Sequence, residues 1–143
     1  MKITIIIPVY NLEQYVSTTI TSALNQQFDG ELEVIAVDDG SSDNSLPILQ
    51  NLAKQDARLH IISQKNAGVS VARNTGIENA TGDYISFLDG DDILSPNAIR
   101  LLLESIQGAD LTLASAGQAR INSQTQDIPS NRREYIIRDS DLV

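Results

Sequence analysis

The 143-residue chain has no cysteine and no tryptophan, a single histidine and only two phenylalanines. Without cysteine there is no disulfide and no thiolate metal centre, and the lone His60 leaves no imidazole cluster. Any metal held by this protein must therefore sit on oxygen ligands, a condition that manganese or magnesium meets and structural zinc does not. Basic residues are scarce too: ten Lys and Arg face nineteen Asp and Glu, for a formal net charge of −9. A surface that tracks nucleic-acid phosphates needs clustered cations, so nucleic acid is not an expected partner. Long apolar runs are also lacking. The N-terminal stretch from Ile3 to Ile7 stops at Pro8, too short for the apolar core of a signal peptide or for a membrane span. The expected location is cytoplasmic, with attachment to the cytoplasmic face of a membrane possible only through segments outside this chain.

What remains is enough for one ordinary domain, with 41% hydrophobic residues over a length that can bury a core. Residues 3–9 read as a buried strand, apolar and β-branched, closed by Pro8, Val9, Tyr10 and Asn11. Val16, Ile20, Ala23 and Leu24 fall at helical spacing within 13–27. A second strand is expected over 33–37. Ser41, Ser42 and Asp43 then offer N-caps to a helix with Leu46, Leu49, Leu52 and Ala53 on one face, Asp43 or Ser42 being the natural cap. Residues 59–63 read as strand three, and 68–80 as a helix whose Val69, Ala72 and Gly76 mark a close-packing face. Strand four is expected over 84–88. Ser95 and Pro96 open a fourth helix with Ile99, Leu102, Leu103 and Ile106 as its buried stripe and Gly108 as its stop. Short strands follow at 111–113 and 135–137. Strands alternating with helices predict an α/β fold with a mostly parallel sheet and helices on both faces, over a core of residues 1–117; the polar stretch 118–143 reads as the start of a second, incomplete region.

In a parallel sheet all strand C-termini open on one edge, where ligands of open α/β sheets bind. Strands one to four end there at Asn11, Asp38-Asp39, Lys65-Asn66 and Asp89-Gly90-Asp91-Asp92. Polar βα loops are ordinary, since Asp, Asn and Gly make turns and caps. Five carboxylates and a lysine converging from four loops favour a site, and gathered carboxylates invite a hard cation carried in with phosphate oxygens. Asp38 and Asp39 are spare once Asp43 or Ser42 caps the following helix. An extended Asp89-Gly90-Asp91 would put both acids on one side, about 7 Å apart by strand rise. The plain alternative is an Asp-Gly turn. Asn66, Ala67 and Gly68 could offer backbone N–H groups to phosphate. Arg73 either serves the same crevice or pairs with a neighbouring carboxylate, and Tyr10 either stacks on a base or closes the core. Neither the P-loop spacing nor the usual Gly-x-Gly-x-x-Gly dinucleotide fingerprint is present. EF-hand loops started at Asp39 or Asp89 lack the required Gly and Glu.

Taken together, Ile7-Pro8-Val9-Tyr10-Asn11, Val37-Asp38-Asp39-Gly40-Ser41-Ser42-Asp43, Asn66-Ala67-Gly68 with Ala72-Arg73-Asn74, and Asp89-Gly90-Asp91 resemble the ordered motifs of glycosyltransferase family 2. The resemblance covers about the first 117 residues. It implies a Rossmann-like GT-A fold and a nucleotide-sugar donor such as a UDP-sugar, held with Mn²⁺ or Mg²⁺ and transferred with inversion to a saccharide or glycolipid acceptor, as in polysaccharide biosynthesis. By the same resemblance Pro8, Tyr10, Asp38, Asp39, Asn66, Gly68, Arg73 and Asp89 would line the donor site. Asp39 would meet the base, Asp89 the ribose or a metal-bound water, and Asp91 the metal that bridges the diphosphate. The family's catalytic base lies well after its Asp-x-Asp; Glu104, Asp110, Asp127, Glu134, Asp139 and Asp141 follow here, and none matches the base motif. The chain thus reads as the donor-binding half of a transferase. The alternatives are a non-catalytic nucleotide-sugar-binding module and, less favoured for want of a Lys after Lys65, a phosphatase with Asp89 as nucleophile.

Overall fold

The computed structural model describes residues 1–106. They fall into two compact units: residues 1–25 with 29–94, and residues 26–28 with the stretch from Ser95 onward. The first unit holds strands β1 (Lys2–Val9), β2 (Glu31–Asp38), β3 (Leu59–Ser63) and β4 (Tyr84–Phe87), interleaved with helices α1 (Val16–Leu24), α2 (Ser45–Gln55) and α3 (Val69–Asn79). All pairings are parallel, in the order β3-β2-β1-β4. β1 and β2 are central, and their middles, Ile5 to Ile7 and Val34 to Val37, are apolar at every position because both faces are covered. Ile6 and Ile35 are register partners on one face, where α3 packs on β1 and β2; Ile35, Val37 and Ala72 form a buried cluster there with Ile62 and Ala80 at its margin. Alternate residues such as Ile5, Ile7, Val34 and Ala36 point to the other face. α1 and α2 touch each other and pack against β2, with α2 reaching β3.

Close approach of α3 to the sheet explains Gly76. A Cβ there would lie 2.4 Å from Ile6 Cγ2, so any larger residue would displace either the helix or the buried Ile6 side chain. Ala72 and Gly76 are buried as the spacing predicts, but Val69 is 51% exposed. α3 runs back over parallel strands, so its first residue stands at the open C-terminal edge, where no strand lies beneath it. α1 is shorter than expected. Tyr15 and Val16 both donate to Leu12 O, and Glu13 is drawn to the neighbouring loop, so it does not charge the first turn of the helix.

The second unit contains α4 (Ala98–Ile106). Gln26 bridges to it by donating from Nε2 to Ser95 O at 2.8 Å and accepting at Oε1 from Ile99 N at 3.0 Å. The helix begins after a turn at Pro96 and Asn97, so Pro96 precedes the first helical residue. The boundary at 117 and the strands at 111–113 and 135–137 lie outside the described residues. Among the described residues no helix is long and apolar enough to cross a membrane.

The N-terminal edge of the sheet is closed by one buried acid. Glu33 accepts from Thr4 Oγ1 (2.5 Å), Thr81 N (2.9 Å), Thr81 Oγ1 (2.7 Å) and Lys2 Nζ (3.3 Å), which joins β1, β2 and the α3–β4 turn. Burial works to raise its pKa, but these donors outweigh it and hold the carboxyl at about 2, against an ordinary 4.5. A depressed carboxylate stabilises the fold above its unfolded pKa and loses that contribution as pH falls from about 4.5 toward about 2. The contribution is on the order of 3 kcal/mol. Glu33→Gln should therefore cost about 1–3 kcal/mol at pH 7 and show a smaller further loss than the parent on acidification to pH 3. Urea denaturation of both proteins at the two pH values measures this; equal stability at pH 7 with parallel acid losses would remove Glu33 from the account.

Candidate functional site

The register aligns the strand ends. Val9 pairs with Asp38 and Asp38 with Ser63, while Ile6 pairs with Phe87, so the loops after β1, β2, β3 and β4 leave the same edge. The chain order reverses between β1 and β4, the kind of switch point where open α/β sheets bind ligands. The loop after β1 is fastened to the loop after β2. Asn11 adopts φ +52, a left-handed conformation that Asn tolerates, and accepts from Ser42 N at 2.8 Å. Its own N–H donates to Ser41 Oγ (3.0 Å), and the N–H groups of Leu12 and Glu13 donate to Ser45 Oγ (2.8 Å) and Asp43 Oδ2 (3.0 Å). Glu13 returns the contact by accepting from Asn44 N at 2.9 Å. Asp43 Oδ1 receives Ser45 N at 2.9 Å, so Asp43 serves the start of α2, whereas Ser42 is turned toward Asn11.

Asp38 and Asp39 are both buried, at 1% and 3% exposure, and are held differently. Asp39 Oδ1 accepts from Gln64 Nε2 (2.8 Å) and Ala67 N (2.9 Å), and Oδ2 from Gly68 N (2.9 Å). Burial alone would push this carboxyl up; the three donors overcome it and keep its pKa below the ordinary value. Thr75 donates to Gln64 Oε1 at 2.7 Å and thereby orients the amide. The N–H groups of Ala67 and Gly68, expected to face phosphate, are thus spent on Asp39. The bulge this requires depends on two glycines: Gly68 at φ +96, and Gly40 at φ +75, where a Cβ would stand 2.8 Å from Asn66 N. Asp38 Oδ2 has only long contacts, 3.4 Å from Ser41 N and from Ser63 Oγ, and its buried Oδ1 has no partner.

The second acidic segment is a turn, not an extended strand. Asp92 N donates to Asp89 O at 3.0 Å, closing a β-turn over Gly90 and Asp91. Gly90 is buried, and a Cβ there would lie 2.8 Å from Pro8 O and 2.6 Å from Leu12 Cδ1, so the turn is seated on the end of β1. Asp89 is paired: Arg73 Nη2 reaches its Oδ1 at 2.6 Å, with the guanidinium 6.0 Å above the Phe87 ring and its buried Nε without a partner. Arg73 therefore takes the carboxylate-pairing alternative in this state. Asp91 is exposed and has no hydrogen bond or ion pair among the described residues. Burial raises the Asp92 pKa, and repulsion from Asp91 and Asp89 adds to the rise.

Among the described residues no three His, Cys, Asp or Glu side chains converge into a protein-only metal cage. The donor set nevertheless fits magnesium or manganese, because such ions are held by one or two carboxylates plus waters and phosphate oxygens. Asp91 supplies a free carboxylate beside a neighbour already strained by like charge. Tyr10, Asn66 and Lys65 stand exposed around this edge, and Pro8 lies buried at the end of β1. Glu104, one of the downstream acids, accepts from Arg100 at 2.6 Å along α4; the acids from Asp110 onward lie outside the described residues. Sequence reasoning missed Gln64, Thr75, Ser45 and Thr19, whose partners are remote in the chain. A polar residue on an otherwise apolar stripe, as at Thr19, was the available signal.

The model of the family described as "Glycosyl transferase family 2" matches residues 4–142. The chain is 39% identical over 134 residues to the "Uncharacterized glycosyltransferase EpsJ" of Bacillus subtilis (strain 168), covering 94% of this chain and 37% of that protein. It is 44% identical over 112 residues to the chondroitin synthase of Escherichia coli, covering 78% of this chain and 16% of the other. The chain thus spans well under half the length of these relatives. Among solved structures, residues 1–349 of S. aureus TarS in complex with UDP superpose with a TM-score of 0.66 at 30% identity, covering 74% of this chain and 32% of that one. The mannosyltransferase PcManGT from Pyrobaculum calidifontis, in complex with GDP-Man and Mn²⁺, shares the fold with a TM-score of 0.69 at 22% identity, over 73% of this chain and 32% of its own. Matched along nearly all of its length and built on the same parallel sheet, the chain belongs to glycosyltransferase family 2 and has the GT-A fold.

Proposed function

We propose that residues 1–117 form the donor-binding part of a metal-dependent, inverting glycosyltransferase that takes a UDP-sugar and serves a saccharide or glycolipid acceptor at the cytoplasmic face of a membrane. The observation that carries this reading is the unequal treatment of the edge carboxylates. Asp39 is committed to its own loop and Asp89 to Arg73, while among the described residues Asp91 and its neighbour Asp92 are left exposed with no side-chain partner at the switch point, and of the two it is Asp92 whose charge is disfavoured by burial and by its neighbours. A solvated, repelled carboxylate at that position is what a cation arriving with a diphosphate needs. UDP in the TarS complex supports the choice of nucleotide. Asp91, with Asp89 released from Arg73 or bonded through a water, would hold the metal. Bound there, a divalent cation supplies charge neutralisation to the departing nucleoside diphosphate.

The chain's own residues do the remaining donor-side work. The buried Asp39 network fixes the floor against which a base would lie, and Tyr10 offers an exposed ring at its rim. Among the described residues Arg73 brings the guanidinium that meets the β4 loop, and it can exchange its carboxylate partner for a phosphate group, an oxyanion that also offers it more than one oxygen. Deprotonation of the acceptor hydroxyl falls to a carboxylate beyond the described residues, as in single-displacement transfer generally.

Asp91→Asn tests the reading. Its stability should match the parent within about 0.5 kcal/mol, because the lost charge made no bond and relieves repulsion on Asp92. Mn²⁺-dependent UDP affinity, read by equilibrium dialysis, should fall by roughly tenfold or more. A folded variant with parental affinity would show that Asp91 is not the metal carboxylate.

A further inference from the structure

The buried face of α1 is Val16, Thr19, Ile20 and Ala23: three apolar residues and a hydroxyl. A hydroxyl at 1% exposure is costly unless bonded. Thr19 Oγ1 has one proton and two carbonyls in reach, Gly90 O at 2.9 Å and Tyr15 O at 3.3 Å. Tyr15 O already receives the Thr19 N–H at 3.1 Å, so the shorter contact to Gly90 takes the proton. One turn further on, Ser22 Oγ accepts from Leu94 N at 3.1 Å while donating to Thr19 O at 2.8 Å. Gly90 and Leu94 bracket Asp91 and Asp92. The acidic segment is therefore pinned at both ends by hydroxyls of a helix that precedes it by some seventy residues.

Pinning the Gly90 carbonyl has a definite geometric effect. That carbonyl and the Asp91 N–H belong to one planar peptide, so fixing the oxygen fixes the plane from which the Asp91 side chain departs. Gly90 cannot slide to compensate, because it is wedged against Pro8 O and Leu12. We propose that Thr19, seconded by Ser22, is a positioning residue for the donor site: its hydroxyl aims the Asp91 carboxylate at the divalent cation. The inference rests on the reading of Asp91 as the metal carboxylate given above. Loss of a group that orients a metal ligand weakens metal affinity by roughly tenfold or more where that group bonds the ligand itself, and a hydroxyl that holds the ligand's own peptide plane acts in the same direction.

The test is Mn²⁺ binding followed by electron paramagnetic resonance at fixed excess UDP, on the parent, Thr19→Val and Thr19→Ser, with metal-free UDP affinity and thermal unfolding measured alongside. Thr19→Val keeps the shape and removes the donor; it should bind Mn²⁺ about tenfold more weakly, with metal-free UDP affinity unchanged, while Thr19→Ser stays within about twofold of the parent. A folded Thr19→Val with parental Mn²⁺ affinity overturns the inference and leaves Asp91 as ligand intact. Equal weakening in Thr19→Ser overturns it as well, since the methyl group and not the hydroxyl would then matter. If Thr19→Val does not fold, Ser22→Ala, which frees the Leu94 end of the same segment, must show the drop, and parental affinity there overturns the proposal. A parent that binds no Mn²⁺ with UDP overturns both this inference and the reading of Asp91.

Discussion

Everything at the candidate site hangs on the parallel pairing of β1 with β2 and β4. β1 is in register with β2 along its whole length, from Lys2 opposite Glu31 to Val9 opposite Asp38, and with β4 from Ile3 to Ile6. That register puts the acids of two loops on one edge, although they are about fifty residues apart in the chain. A slip by one residue would turn Ile6 away from Gly76 and Asp38 out of the buried layer, because strand side chains alternate faces. The contact of Gly76 with Ile6 and the four donors on Glu33 oppose such a slip from α3 and from the far edge. The sheet is thus fixed at its N-terminal edge, and the C-terminal edge is left for chemistry.

At that edge the protein manages negative charge by giving each carboxylate a separate fate. Asp39 is neutralised by backbone and amide donors and becomes architecture. Asp43 and Glu13 lash two loops together. Asp89 is countered by Arg73. Asp91 receives nothing, and Asp92 is pushed toward its protonated form by burial and by its neighbours. Structural use of Asp39, Asp43 and Asp89 leaves the exposed Asp91 and Asp92 pair for a ligand among the described residues, an arrangement that would be hard to hold without the internal hydrogen bonds, since gathered carboxylates repel.

Much of this was legible in the sequence. The strands announce themselves as apolar β-branched runs, and β3 has the predicted limits; Ala72 and Gly76 mark the helix face that meets the sheet. The motifs led to the family, and the strand ends that carry them do share one edge of the sheet. What eluded local reading was the identity of partners. Nothing near Asp39 says that its oxygens will be spent on Ala67 and Gly68; at Asp89 the Asp-Gly pair allowed a turn as the alternative to an extended segment, but nothing nearby says that Gly90 will be seated against Pro8 and so decide for the turn. Val69 follows the apolar periodicity yet lies exposed, because periodicity does not know where the sheet ends. Thr19 is the sharpest case: a polar residue in a helical stripe is informative only once the loop it meets has been placed by the rest of the fold.

The central claim is that this edge binds a nucleoside diphosphate through a divalent cation. Calorimetric titration of the folded chain with UDP, with and without Mn²⁺ and with GDP as the control nucleotide, addresses it most directly. The account predicts UDP binding that strengthens markedly with Mn²⁺ and exceeds that of GDP. Absence of UDP binding in both conditions, by a sample shown to unfold cooperatively, would contradict it.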